Sequence, residues 1–268
     1  MIRMKGGTIG ARVREQFGRQ AAHYGRDEVF ARGRTLKTAL EYLGDGLWDE
    51  VLDVATGAGH MALAVAARAR RVVGLDPVSA MLEEGRRGAA ARGVGNVEWV
   101  EGWAEDLPFS DGAFDLVTCR IAAHHFADAG KAVREMSRVL RPGGQLLLVD
   151  TCAPAETELD GFLNRLEVVR DPSHRRDYTV AEWFSFLAGA GLRLCHWEFG
   201  LLERRMDFAG WVERSGTLAE QVEELRRMLE GAPTAAAFLL GLGRSQVSEE
   251  MEFTIPMGLF LVAKDGGV

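Results

Sequence analysis

The sequence predicts an α/β fold built on a parallel sheet, and three observations predict it. Between Val51 and Asp150, short apolar runs alternate with helical stretches, and strands separated by helices mean βαβ units. The first apolar run ends in a glycine-rich bend that opens a helical stretch, "VLDVATGAGHMALAVA" at 51–66. A chain of 268 residues with 47% apolar content can bury the core that such a sheet needs within one large domain.

Ahead of the sheet, residues 11–43 read as helical, with Gly18 and Gly25 breaking the run into two helices. "VLDVA", "RVVGLD", "NVEWVEG", "FDLVTCR" and "GQLLLVD" read as five strands, with helices near 60–69, 78–92 and 129–139 between most of them. "RPGG" at 141–144 is a turn and helix stop, so the fifth strand is expected to start at Gln145. Residues 154–190 read as two helices joined by the polar "RDPSHRRDYT". "LRLCHWEF" at 192–199 reads as a sixth strand, 207–243 as mostly helix, and "MEFTIPMGLFLVAK" at 251–264 as a final strand. Helical additions of this kind roof the ligand site of open α/β sheets, which lies outside the carboxyl ends of the strands.

The formal net charge of −7 argues against a nucleic-acid partner, which calls for clustered Lys and Arg. The doublets Arg86-Arg87, Arg175-Arg176, Arg204-Arg205 and Arg226-Arg227 are scattered and interrupted by acids, and read as solvated faces. Cys119, Cys152 and Cys195 are widely spaced, with no CxxC pair and no His at metal-ligand distance, so they read as reduced thiols and no metal is expected. "MIRMKGGTIGARVREQF" has no apolar core of signal-peptide length, and no later stretch reaches a membrane span; a cytoplasmic protein is expected. Oligomeric state is not legible.

Gly57, Gly59 and Ala62 satisfy G-x-G-x-x-G/A, and Asp76 lies 17 residues past Gly59, at the end of the second strand. A carboxylate there accepts hydrogen bonds from ribose hydroxyls, so the pattern alone suits any adenosine-containing cofactor. Asp53 narrows the choice. A carboxylate in the first strand, just before the turn, repels a pyrophosphate and suits a ligand that carries positive charge. S-adenosylmethionine has the ribose, no phosphate, and both an ammonium and a sulfonium.

At these residues the chain resembles the class I S-adenosylmethionine-dependent methyltransferases, in particular the group that includes the ubiquinone and menaquinone biosynthesis C-methyltransferases. "VLDVATGAG" looks like the family's first motif, "VVGLDPVSAML" its second, "VEGWAEDLPFSDGAFDLVTCR" its third and fourth, and "MSRVLRPGGQLLLVD" the stretch into its fifth strand. The resemblance implies a Rossmann-like seven-stranded sheet, mostly parallel with an antiparallel last strand, helices on both faces and a helical cap and lid. It also implies a single domain over 1–268: an N-terminal cap at 1–45, a cofactor-binding core at 46–150, a lid insertion at 151–190, and last strands at 191–268 that carry a helical insertion at 205–245. The turn of Ala55, Thr56, Gly57 and Gly59 would pack the methionine part of the cofactor. Asp76, followed by Pro77, would bind the ribose, Met81 would border the adenine, and Ala104 and Glu105 would lie near its edge. "FGRQAAHY" resembles the group's cap segment, where Tyr24 would close over the methionine end; Arg120 and His125, past the fourth strand, complete the implied cofactor set. Two positions depart from the pattern: Ala55 replaces the first glycine, and Trp103 stands where the family often has an Asp, with indole stacking as a substitute.

Methyl transfer from a sulfonium needs no metal; the protein must hold the acceptor and, for a hydroxyl or acidic carbon, supply a base. In "CRIAAHHF", His124 and His125 follow the fourth strand and either is placed to act as the base, His124 being favoured; the alternative is that His125 packs under the next helix. His174 is a second catalytic candidate, in a lid where Arg170, Arg175 and Tyr178 would bind an anionic or phenolic acceptor; turn chemistry of Asp171, Pro172 and Ser173 explains the same segment equally well. Arg120 serves either the cofactor carboxylate and lid or an ordinary ion pair. His23, His60 and His196 read as structural or surface residues, and Trp183, Phe184, Phe186, Phe162 and Leu166 as core. No Asn/Asp-Pro-Pro-Tyr and no Pro-Cys occurs, the motifs of amino- and C5-methylation of DNA bases. The expected activity is therefore methylation of a small molecule, at oxygen, carbon or nitrogen. The alternatives are an NAD(P)-dependent oxidoreductase, which leaves Asp53 and the later motifs unexplained, and a non-catalytic S-adenosylmethionine-binding protein.

Overall fold

The computed structural model describes residues 8–202 and 205–266; residues 1–7 of the expected cap and Arg204 of the basic doublet lie outside the described residues. Three helices come first, α1 (Ile9–Arg26), α2 (Glu28–Arg32) and α3 (Arg34–Leu43). The core then runs β1 (Trp48–Val54), α4 (His60–Val65), β2 (Ala69–Asp76), α5 (Ser79–Arg92), β3 (Val97–Glu101), β4 (Phe114–Arg120), α6 (Ala129–Val139) and β5 (Leu140–Ala153). After it come α7 (Thr157–Arg170), β6 (Tyr178–Thr179), α8 (Val180–Gly189), β7 (Leu192–Leu202), β8 (Met206–Asp207), α9 (Phe208–Ser215), α10 (Ala219–Glu230), α11 (Thr234–Leu239), β9 (Gly243–Arg244), β10 (Met251–Phe253) and β11 (Pro256–Lys264).

The main sheet has the order β3-β2-β1-β4-β5-β11-β7, with β6 beside β5. The first five strands pair in parallel, and β11 runs antiparallel to both neighbours. Helices cover both faces, which is why the central strands are apolar without alternation. Val51, Val72 and Leu116 pack with Leu36 and Ala39 of α3 and Met61 of α4. The residues one step on, Leu52, Val73 and Val117, pack on the opposite face with Val133 and Met136 of α6 and Trp183 of α8. A third core joins α7 to the C-terminal helices and the small sheet β8-β10-β9 through Leu166, Phe208, Trp211, Leu225 and Phe253.

Local chemistry fixes the helix ends near the site. Asp128 caps α6 by accepting from Lys131 N at 2.8 Å, and Thr179 and Glu182 form a reciprocal capping box at the start of α8. Trp183 and Leu166 are fully buried, as the core reading of those aromatic and apolar positions expects.

The structure departs from the expected boundaries at four places. The N-terminal run continues through Gly18 and Gly25 and breaks at Asp27 and Gly33, because a lone glycine weakens a helix without stopping it. β5 begins at Leu140, not Gln145: Phe114 pairs with Leu140 and Leu116 with Gln145, so "RPGG" is an irregularity inside the strand. The last apolar stretch is two strands, parted where Thr254 N donates to Leu240 O at 2.8 Å. The stretch 207–243 is three helices, and the expected helical insertion also contributes short strands.

Candidate functional site

In the main sheet, β1 and β4 are neighbours, and successive strands lead away from them in opposite directions. Ligands of open α/β sheets bind at that reversal, outside the carboxyl ends. A cavity of about 640 Å³ lies there, inside the range of roughly 300–1,000 Å³ usual for sites that enclose a small ligand. Every residue of the implied cofactor set except Gly59 lines it, as do both catalytic candidates, His124 and His174.

The floor on one side is the turn after β1. Ala55, Gly57 and Gly59 all have positive φ, at 52°, 55° and 80°, so the backbone reverses tightly enough to leave its edge open to the cavity. Asp53 anchors this turn: its Oδ2 accepts from Thr56 Oγ1 at 2.6 Å and Ala62 N at 3.1 Å, and its Oδ1 from Thr118 Oγ1 at 2.7 Å. Both oxygens are thus engaged by protein donors, and Asp53 acts on the cavity by shaping the turn and by its charge. Burial raises its pKa against the two hydroxyls that favour the anion. Gly59 sits behind the wall, where a Cβ would come within 2.4 Å of the Trp99 indole; its role is packing.

Asp76 closes the turn from β2, accepting from Gly57 N through Oδ2 and Val78 N through Oδ1, both at 2.9 Å. Burial pushes its carboxyl up to about 7, although these N–H groups favour the charged form. Beside it, Met81 and Trp103 line the wall, and the Arg14 guanidinium lies 5.1 Å over the Trp103 ring. Glu105, also on the cavity wall, holds the loop after β4 by accepting from Ala127 N at 2.8 Å.

α1 roofs the cavity. Gln16 Nε2 donates to Ser215 O at 2.5 Å, and the Tyr24 carbonyl accepts from His60 Nε2 at 2.9 Å. The Tyr24 ring tilts against Phe17 and Phe30, and burial pushes its phenol up to about 12. Arg120 donates to Thr35 Oγ1 at 3.0 Å and Phe30 O at 2.7 Å, bonds that tie the roof to β4.

The far end of the cavity is a buried histidine cluster. His124 Nδ1 meets Asp150 Oδ1 at 2.5 Å, and the His124 backbone N–H donates to Asp150 Oδ2 at 2.9 Å. Burial opposes the imidazolium, but Asp150 overrides it and lifts the His124 pKa to about 9. His125 donates from Nδ1 to Ser173 O at 3.0 Å, and burial with the charge on His124 pulls it down to about 4. His174 stacks on His124 with ring centroids 5.4 Å apart; burial, then His124 and His125, hold it far below the usual range and so neutral. The segment 171–177 is docked here by Arg175 N and Arg176 N, which donate to His124 O at 2.8 and 3.1 Å.

Sequence reasoning missed several members of this cluster. Asp150 lies near the carboxyl end of β5, and the missed signal is a carboxylate where the fifth strand reaches the same edge as Asp76. Thr151, Glu167 and Arg214 also line the cavity, while buried Asp177 accepts the Thr151 hydroxyl. Of the expected lid residues, Arg170 lines the cavity and Arg175 and Tyr178 do not; Tyr178 packs edge-on against Trp183 and Phe186.

Residues 52–148 match the family model described as a methyltransferase domain. The chain is 35% identical over 239 residues to the uncharacterized methyltransferase YcgJ of Bacillus subtilis (strain 168), covering 89% of this chain and 94% of that one. The crystal structure of YcgJ superposes with a TM-score of 0.77 over 87% of this chain and 97% of that chain. A putative methyltransferase from Bacillus halodurans C-125, 35% identical, gives 0.80 over 86% and 98%. A demethylmenaquinone methyltransferase of Thermus thermophilus is 46% identical over 106 residues, 39% of this chain and 48% of that one. The oxidoreductase alternative is not favoured by these likenesses. The chain belongs to the S-adenosylmethionine-dependent methyltransferase family.

Proposed function

We propose that the cavity binds S-adenosylmethionine along the turn after β1 and a small methyl acceptor under α7 and the segment 171–177, and that His124 takes the acceptor's proton. The observation that carries this reading is the juxtaposition of two elements on one cavity wall: the positive-φ turn closed by Asp76, and a histidine whose Nδ1 is fixed by a buried carboxylate. S-adenosylmethionine, when bound, supplies a methyl group activated by its sulfonium.

Asp76 has one backbone donor on each oxygen, so each keeps a lone pair for ribose hydroxyls. Met81 and Trp103 offer apolar surface to an adenine. Tyr24, Phe17 and Phe30 exclude water from the reacting end. His124, with Nδ1 committed to Asp150, offers Nε2 to the acceptor; Asp150 fixes the tautomer and steadies the charge once the proton arrives. The acidic net charge and the enclosed cavity favour a small molecule over nucleic acid. We assign residues 8–43 the role of a cap and 154–190 with 205–245 that of a lid over one core.

The test is methyl transfer from isotopically labelled S-adenosylmethionine to a panel of small acceptors. The reading expects product with the unaltered protein and a loss of at least a hundredfold in His124→Ala, with S-adenosylhomocysteine binding retained; full activity in that variant contradicts it.

A further inference from the structure

The acceptor end of the cavity carries a polar side chain with no partner. His174 is 4% exposed and lines the cavity, and neither of its ring nitrogens has a hydrogen-bond partner. The nearest carboxylate, Asp177 Oδ1, lies 3.9 Å from Nε2, beyond hydrogen-bond reach, and already accepts the Thr151 hydroxyl. Buried polar groups are ordinarily paired, and an orphan on a cavity wall points to what the cavity receives.

We propose that the methylated atom is a hydroxyl oxygen of an uncharged acceptor, seated between His174 and His124, with the acceptor's apolar body against Met206, Trp211, Ile255 and Met257. This rests on the methyltransferase reading above and deepens it. A neutral imidazole has one N–H donor and one bare nitrogen, and burial together with the neighbouring charge on His124 keeps His174 neutral. A hydroxyl oxygen accepts from the His174 N–H while its own proton points to Nε2 of His124 in its neutral form. The stacked rings, 27° from parallel with centroids 5.4 Å apart, set the two imidazoles side by side on the cavity wall.

Other acceptor chemistries match less well. The reacting carbon of a carbon acid offers no lone pair to the His174 N–H. An anion finds no uncompensated cation in Arg170 or Arg214, since Arg170 Nε is paired with Glu167 Oε2 at 2.8 Å and Arg214 Nε with Asp27 Oδ2 at 2.9 Å. An ammonium nitrogen has no lone pair, either to attack the methyl group or to accept the His174 N–H. The step balances: the hydroxyl oxygen's lone pair forms the O–CH3 bond, the C–S bonding pair stays on sulfur as a neutral thioether, and the hydroxyl proton moves to His124.

The test supplies the protein with deuteromethyl-labelled S-adenosylmethionine and a small-molecule extract of its own cells, beside matched panels of alcohols and phenols, carboxylates, amines and carbon acids, and locates the label by NMR. Label in a methyl ether is expected. Label on carbon, nitrogen or a carboxylate overturns the proposal, as does the absence of any labelled product while S-adenosylhomocysteine still binds; absence of that binding overturns the underlying reading instead. His174→Leu is expected to raise the acceptor KM more than tenfold and His174→Asn, which keeps an N–H, to restore most of it, with equal melting temperatures. Equal KM values in both variants and the unaltered protein contradict the assignment.

Discussion

Asp150 holds His124 at two points: one carboxylate oxygen meets Nδ1 at 2.5 Å and the other accepts the backbone N–H of the same residue at 2.9 Å. The pair joins the end of β5 to the turn after β4, so the imidazole is placed by the sheet and not by the lid. Its raised pKa follows from that contact.

The pH dependence of kcat/KM tests this pair. With the His124 pKa lifted to about 9, the neutral base is the minor form at neutral pH, roughly one part in a hundred at pH 7. The rate is expected to climb with pH up to about 9 and then level. In Asp150→Asn the nearest counter-charge is gone and only Asp177 and Glu167 are left to oppose burial, so the climb moves to lower pH while the plateau falls. A profile unmoved by Asp150→Asn contradicts the role given to the pair.

Asp53 predicts a stability effect. Asp53→Ala strands the hydroxyls of Thr56 and Thr118 and the N–H of Ala62, and a single stranded donor costs about 1–3 kcal/mol. Denaturant unfolding is expected to show a loss of at least that size, together with weaker cofactor binding because the turn loosens. An unchanged midpoint would show that the anchor is dispensable.

Trp99 and Gly85 predict a coupled pair. A Cβ at Gly85 would stand 2.4 Å from the indole, and overpacking of this kind costs about 1–3 kcal/mol. Gly85→Ala is expected to destabilise the protein by that amount, and much less in a Trp99→Leu background. A double-mutant cycle that adds without coupling refutes the contact.

Much of this architecture is legible in the residues. β1 through β5 announce themselves because each apolar run is bounded by polar or glycine residues, and the turn after β1 carries its own motif. The helix boundaries near Gly18 and Gly25 were not legible, because a helix tolerates a lone glycine where packing supports it; at Gly25 the helix lies against Glu84 of α5. The acceptor end was half legible. His124 and His174 stand out as residue types, but Asp150, Glu167 and Asp177 look like ordinary strand-end, helix and loop acids until the topology gathers them around the same imidazoles. Asp53 lines the cavity, and only the fold reveals the three protein donors that it also holds.

Asp76 offers the most direct measurement. Calorimetric titration with S-adenosylhomocysteine, at a pH of about 8 to 9 where a carboxyl raised to about 7 is ionised, compares the unaltered protein with Asp76→Ala. The account predicts one site per chain and an affinity loss of about 1–3 kcal/mol, roughly 5- to 150-fold, from the missing charge-assisted hydrogen bonds. It also predicts that the unaltered protein's affinity falls as pH drops below 7, since the proton on Asp76 must leave before the hydroxyls can donate to it. Equal affinity in the two proteins would contradict the placement of the cofactor at this turn.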